Sequence, residues 1–257
     1  MTTPSFVDHV GIAEQLHEAR RTAVPTDFIT SSFPDLGWAD ARAIARHSDE
    51  LRLADGETQI GWKLGWTSSA MRTALGIDRP NWGTLWDSQT CDAEVAFDRF
   101  IHPKIEPELV WRSPITLAGK VSAAEVEESG GEWALGIEVV DPRFPSFDFQ
   151  ALDNTADNSS SAAIRVGEFS ELDDAVSELI VTFSDGSDRR TGAGKQAMGS
   201  PWEAIAWLVR SLGEEALHVR AGDIVFTGGL AAPYDARQGV AYSLSGSPLC
   251  GTTLRFS

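Results

Sequence analysis

Three glutamates constrain this chain more than any other feature. Glu106 and Glu108 lie in Ile105-Glu106-Pro107-Glu108-Leu109-Val110-Trp111, a segment that reads as a strand. Residues i and i+2 of a strand share a face, so the two carboxylates project side by side. Glu138 lies in Leu135-Gly136-Ile137-Glu138-Val139-Val140, a second apolar strand. A carboxylate inside such a run must find a partner or be neutralised, because burying an unpaired charge is very costly. Three carboxylates meeting in one pocket would repel one another. A hard divalent cation such as Mg²⁺, which prefers oxygen ligands, removes that conflict. Two acids at i and i+2 also fit a solvated strand face, the commoner habit of glutamate.

The 257 residues suffice for one large domain, read here as residues 1–257 with a helical N-terminal region (1–56) and a β-rich core (57–257). A net charge of −17 argues against nucleic acid or an anionic membrane as partner. An anionic small substrate would then need a local cation or metal. Cys91 and Cys250 form no close-spaced pair, which fits a reducing cytoplasm rather than a disulfide framework or zinc site. The start lacks a basic and an apolar signal region, and no apolar run is long enough to span a membrane.

Helical spacing recurs over residues 6–22 (Ile12, Leu16, Ala19) and 37–53 (Ala41, Ile44, Ala45, Leu51). Gln59 to Trp66 reads as a strand, and Ser68 or Ser69 caps a short helix through Leu75, ended by Gly76. Strands are predicted at 93–97 and 102–113, and a short acidic helix at Ser122–Ser129. From residue 133 onward the chain reads mostly as strand and loop. Leu179–Phe183 runs into an Asp185-Gly186 hairpin turn. Pro201 opens a helix with Ala204, Ile205, Leu208, Val209 and Leu212 on one face. Gly222–Gly229 is a strand ending in a glycine turn, and two short strands follow. Helices first and strands later predict an α+β architecture.

Six segments, in order, carry a family resemblance: Gly61-Trp-Lys-Leu-Gly-Trp-Thr-Ser, Gly83-Thr-Leu, Ile101-His-Pro-Lys-Ile-Glu-Pro-Glu-Leu, Leu135-Gly-Ile-Glu-Val-Val-Asp-Pro-Arg, Asp153-Asn-Thr-Ala-Asp-Asn-Ser-Ser and Gly222-Asp-Ile-Val-Phe-Thr-Gly. The chain resembles the 2-keto-4-pentenoate hydratase and 4-oxalocrotonate decarboxylase group of the fumarylacetoacetate hydrolase superfamily. The resemblance covers the chain from about residue 60 onward. It implies a mixed, curled β-sheet flanked by helices, and a homo-oligomer, with association to another pathway enzyme open. It implies Mg²⁺ or Mn²⁺ held by Glu106, Glu108 and Glu138. The implied substrates are small anionic 2-oxo or 2-hydroxy-dienoic acids from meta-cleavage of aromatic compounds. A bound metal would act on them as a Lewis acid.

Lys63, in an apolar strand, is the candidate second catalytic group; an ordinary lysine reaching solvent from a strand end is the alternative. Asp153, Asp157 and Asn158, with Ser159 to Ser161, form a polar cluster that could hold a carboxylate or orient water, with Asp157 a catalytic candidate; a capped turn fits the same residues. Thr227 and Gly228 could bring backbone N–H groups to a substrate oxygen, or simply turn the chain. Arg143 could pair with an acid of the site. Trp62, Trp66, Trp82 and Trp86 read mostly as packing. The family's hydratases usually carry Asp-Phe-Gly-Thr-Leu where this chain has Asn81-Trp82-Gly83-Thr84-Leu85, and Asn81 cannot titrate. The resulting expectation is a cytoplasmic, metal-dependent hydratase. The alternatives are a 2-oxo-3-enoate decarboxylase and a catalytically silent binding or partner subunit.

Overall fold

The computed structural model describes residues 7–69, 72–73, 76–172 and 176–257. The elements run α1 (His9–Thr22), α2 (Ile29–Ser32), α3 (Trp38–Ala54), β1 (Gln59–Gly65), β2 (Asn81–Trp86), β3 (Glu94–Val95), β4 (Lys104–Arg112), α4 (Ala123–Glu128), β5 (Glu132–Val140), α5 (Ala151–Ala156), β6 (Ser161–Val166), β7 (Ser170–Glu171), β8 (Ile180–Ser184), β9 (Arg189–Ala193), α6 (Pro201–Glu214), β10 (Ile224–Phe226), β11 (Tyr234–Asp235), β12 (Ala241–Gly246) and β13 (Leu249–Phe256). The short helix expected up to Leu75 includes residues 70, 71, 74 and 75, which lie outside the described residues.

The predicted mixed sheet is present. Its order is β2-β1-β10-β4-β5-β6, with β11 beside β4 and β7 beside β5. β1 and β10 run parallel, and β4 and β5 antiparallel. A second sheet, β3-β13-β12-β8-β9, completes the β region. Alternation decides which face of β4 and β5 meets the core. Ile105, Leu109 and Trp111 of β4, with Trp133, Leu135, Ile137 and Val139 of β5, enter the main apolar cluster together with Ile205 and Leu208 of α6. The opposite face carries Glu106, Glu108 and Glu138.

The two N-terminal helices bury the stripes their spacing predicted. Ile12 and Leu16 of α1 meet Ala41 and Ile44 of α3, and together they cover Phe144 and Ala156. Three expectations change in extent. The strand at 93–97 shortens to Glu94–Val95 before a 3₁₀ turn at Phe97–Arg99. The strand at 222–229 shortens to Ile224–Phe226, because Thr227 to Gly229 leave the sheet. The polar segment at 151–160 is a helix and a 3₁₀ turn rather than strand and loop. Six helical residues are too few to show a hydrophobic period, which hid α5.

Gly136 lies opposite Glu108 in the sheet register. A Cβ there would clash with the buried side chains of Val110 and Phe226. Gly136→Ala is therefore expected to destabilise the fold by about 1–3 kcal/mol through overpacking. A urea midpoint equal to that of the wild type would contradict this packing.

Candidate active site

The β4–β5 register sets Glu106 directly across from Glu138, and Glu108 lies two residues along on the same face. One oxygen from each glutamate lies within 4.8 Å of the others. Glu108 and Glu138 are fully buried. Glu108 Oε2 accepts the Gly228 N–H at 2.6 Å, while Glu108 Oε1 has no hydrogen-bond partner among the described residues. Burial, then the Glu138 charge, pushes Glu106 up to about 7 and raises Glu108 well above the ordinary carboxylate range. Burial also raises Glu138, against the opposing charge of Lys63. Three crowded carboxylate groups with an unsatisfied buried oxygen fit a hard divalent cation.

Pro107 interrupts β4 between these acids, where its missing N–H does no harm. The neighbouring chain is off the sheet at that level, between β10 and β11. Thr227, Gly228 and Gly229 occupy this gap. Gly228 has φ 99° and no room for a Cβ beside Thr67. Glycine thus lets the backbone come close enough to donate to Glu108.

Lys63 of β1 is buried. Its Nζ lies 3.2 Å from Glu138 Oε2 and donates to Ser159 O at 3.0 Å and Ser159 Oγ at 3.2 Å. Ser159 Oγ donates to Asn81 Oδ1 at 2.7 Å, Asn81 Nδ2 to Asn154 Oδ1 at 2.7 Å, and Asn154 Nδ2 to Ser160 Oγ at 2.7 Å. Asn158, Ser159 and Ser160 have φ of 50°, 54° and 56°. Three successive non-glycine residues in the left-handed region need strong outside support. Arg143 supplies part of it. Its Nη1 donates to Asp141 O at 2.8 Å and Ser161 O at 3.0 Å, and its Nε to Asp157.

A cavity of about 690 Å³ opens over this cluster. Lys63, Glu106, Asn154, Ser159 and Ser160 form its polar part, and Trp66, Ile77, Val140, Phe147, Phe149 and Pro233 its apolar wall. Lys104 also lines it, two residues from Glu106 on the same face of β4.

The structure brings together Glu106, Glu108, Glu138, Lys63, Gly228 and Asn81. It places Asp153, Asp157, Arg143, Asn158 and Thr227 away from the cavity, and sets the Ser161 side chain beside Glu138. Asp153 accepts from the Thr30 N–H and hydroxyl at 2.8 and 2.7 Å and caps α5. Asp157 and Arg143 form a buried ion pair beneath the turn. Asn158 accepts from Thr84 N at 2.7 Å and donates to Thr84 O at 2.9 Å. Ser161 accepts from Gln89 at 2.9 Å, and Thr227 Oγ1 donates to Leu109 O at 3.0 Å. Asp157 is raised to about 6 by burial, opposed by Arg143. Lys104, Asn154, Phe147 and Phe149 were not singled out in the sequence. Only Lys104 carried a signal, the i, i+2 spacing to Glu106.

A 2-keto-4-pentenoate hydratase of Burkholderia vietnamiensis is 33% identical over 226 residues, 85% of this chain and 86% of the relative. The chain belongs to the 2-keto-4-pentenoate hydratase and 4-oxalocrotonate decarboxylase family. A 4-oxalocrotonate decarboxylase of Pseudomonas putida is 30% identical over 230 residues, 87% of each chain. The solved structure of a 4-oxalocrotonate decarboxylase from Pseudomonas putida G7, complexed with magnesium and adipate, superposes with a TM-score of 0.94 at 26% identity, covering 99% of this chain and 100% of that one. No family profile matches the chain. The family and the fold expected from the motifs are thus the observed ones.

The raised carboxyl groups make the metal-free chain pH-sensitive. A carboxyl whose pKa is higher in the folded state than in the unfolded chain stabilises the fold at low pH, and that stability is lost as pH rises through the folded value. Glu106 and Asp49, each raised to about 7, and Asp157 at about 6 act in the same direction. The urea midpoint of metal-free protein should fall between about pH 5 and about pH 8, and excess Mg²⁺ should reverse most of the fall. Glu106→Gln should show a shallower fall and little rescue by Mg²⁺. A flat profile, or full rescue of the variant, would contradict the carboxylate cluster as the metal site.

Proposed function

We propose that this chain is a divalent-metal-dependent lyase that adds water to a small 2-hydroxy-dienoic or 2-oxo-enoic acid. The observation that carries the reading is the triad of glutamates with Lys63 at the polar side of a cavity whose other wall is apolar. Glu106, Glu108 and Glu138 would hold Mg²⁺ or Mn²⁺, which when bound supplies Lewis-acid polarisation of the 2-oxo acid. Lys63 presents its charge where negative charge develops on the substrate, and it is held there by Ser159 before the reaction begins. It is also the group placed to move a proton at that end. Asn81 acts as a neutral link that holds Ser159. Asp157 and Arg143 are positioning residues that fix the left-handed turn. The apolar wall suits a flat conjugated chain and keeps bulk water off it.

A homo-oligomer, resting on the family resemblance, and a cytoplasmic location, resting on Cys91 and Cys250 forming no close-spaced pair, belong to the same reading. Among the described residues no helix is long and apolar enough to cross a membrane.

Decarboxylation of a 4-oxalocrotonate-type acid is the second reading, and Lys104 favours it. A dicarboxylic substrate anchored near Glu106 would need a cation further along the cavity, and Lys104 provides one. The similar decarboxylase structure holds adipate, a dicarboxylate.

Absorbance loss and CO₂ release should be followed together on 2-hydroxypenta-2,4-dienoate and on 4-oxalocrotonate. Metal-dependent consumption of the first without CO₂ is expected. Turnover of the second alone, with CO₂, would establish the decarboxylase. Lys63→Met should lower kcat by about 100-fold or more, with Mg²⁺ affinity little changed. Metal and ligand binding without turnover of either acid would mean a silent binding subunit.

A further inference from the structure

A second cavity, of about 400 Å³, shares no lining residue with the glutamate cavity. Five arginines line it: Arg20 and Arg21 at the end of α1, Arg52 of α3, Arg99 of the 3₁₀ turn, and Arg143 after β5. Asp98 and Asp141 line it as well. Asp141 is already engaged, accepting the Ile101 and His102 N–H groups at 2.9 and 2.8 Å. Such a concentration of cations stands out in a chain of net charge −17.

The acids within reach serve only Arg20, Arg52 and Arg143, with Asp55 lying 3.8 Å from Arg20 Nη2. Glu57 is shared, accepting from Arg20 Nη2 at 3.0 Å and from Arg52 Nε at 2.9 Å. Asp157 serves Arg143. Arg20 Nε is buried without a hydrogen-bond partner among the described residues. Arg21 and Arg99 are exposed and form no ion pair among those residues. Burial, then the charge of Arg20, lowers Arg52 to about 10, and burial with the Arg143 charge lowers Arg20 in the same direction. A helix C-terminus favours cations, which accounts for Arg20 and Arg21. It also accounts for Arg52, in the last turn of α3, but not for Arg99 and Arg143, which come from two other segments.

We propose that this cavity is a binding site for a small multivalent oxyanion, of phosphate or polycarboxylate type. Guanidinium groups match both chemistries with paired N–H donors. The volume falls within the range of small-molecule pockets, roughly 300–1,000 Å³. Arg21 and Arg99 are exposed and form no ion pair among the described residues, so they can close on the ligand, while Glu57 and Asp157 hold Arg20, Arg52 and Arg143 in place.

The test is calorimetric titration of metal-stripped protein at fixed ionic strength, with pyrophosphate and separately with citrate. Saturable one-to-one binding is expected. Affinity should weaken at least about tenfold in Arg21→Glu/Arg99→Glu, since a tenfold loss is about 1.4 kcal/mol and charged hydrogen bonds contribute at least that much. It should stay within about twofold in the charge-matched control Lys120→Glu/Arg189→Glu, whose sites are exposed and lie outside the cavity. Binding of pyrophosphate alone would mark a phosphate ligand, and of citrate alone a polycarboxylate. No saturable binding by the wild type, unchanged affinity in Arg21→Glu/Arg99→Glu, or an equal loss in both double variants would overturn the proposal. Circular dichroism confirms that each variant is folded.

Discussion

The antiparallel pairing of β4 with β5 sets almost everything else. A slip of one residue would turn Glu106, Glu108 and Glu138 into the apolar core and expel Ile105, Leu109, Ile137 and Val139 from it. The core therefore enforces the register, and the register assembles the carboxylates. The same packing that makes the sheet stable holds three like charges together. The fold accepts that repulsion because Lys63 lies against Glu138 and because the donor set suits a divalent ion.

Regular structure stops where the site needs backbone. The gap between β10 and β11 lets Gly228 reach Glu108, and Pro107 sits opposite that gap, where a donor is not needed. Across the cavity, the Asn158–Ser160 turn carries strained backbone and presents Ser159 to Lys63. Strain of this kind persists only when neighbours over-determine it. Arg143, Asp157, Asn158 and Thr84 do so through hydrogen bonds to and around the turn. Arg143 also lines the arginine cavity, so one buried side chain borders both features.

The glutamates were legible because a period of two and an apolar context are local properties of sequence. Lys63 was legible for the same reason. The polar segment from Asp153 to Ser161 was not, because Asp, Asn and Ser favour caps and turns as strongly as they favour ligand sites. Asp153 turns out to bind the Thr30 backbone and hydroxyl, and Asn158 to tie down the Thr84 backbone, roles that depend on partners 74 or more residues away. The walls of the cavity were equally hidden. Phe147 and Phe149 lie in an irregular segment with no period to betray which way a ring faces. The second sheet also escaped prediction, since its strands pair β3 with β13 across the whole later chain.

Asn81 narrows the choice of chemistry. Its amide donates to Asn154 and accepts from Ser159 at once, which a carboxylate in its place could not do without turning a neighbouring amide. The line from Ser159 through Asn81 and Asn154 to Ser160 consequently holds no group that titrates near neutral pH. With the glutamates committed to a bound metal, as proposed, proton handling at the polar end of the cavity falls to Lys63 or to solvent. Hydration and decarboxylation place the same demand on that end, because both begin from a 2-oxo acid held at the glutamates. What separates them is the far end of the substrate, where Phe147 and Phe149 favour an apolar tail and Lys104 a charged one. Lys104 is partly occupied, lying 3.5 Å from Asp235 and 4.5 Å from the centre of the Phe147 ring. A distal carboxylate would have to compete with Asp235 for it, whereas an apolar tail would leave that pair intact. This competition is the physical reason for placing hydration first.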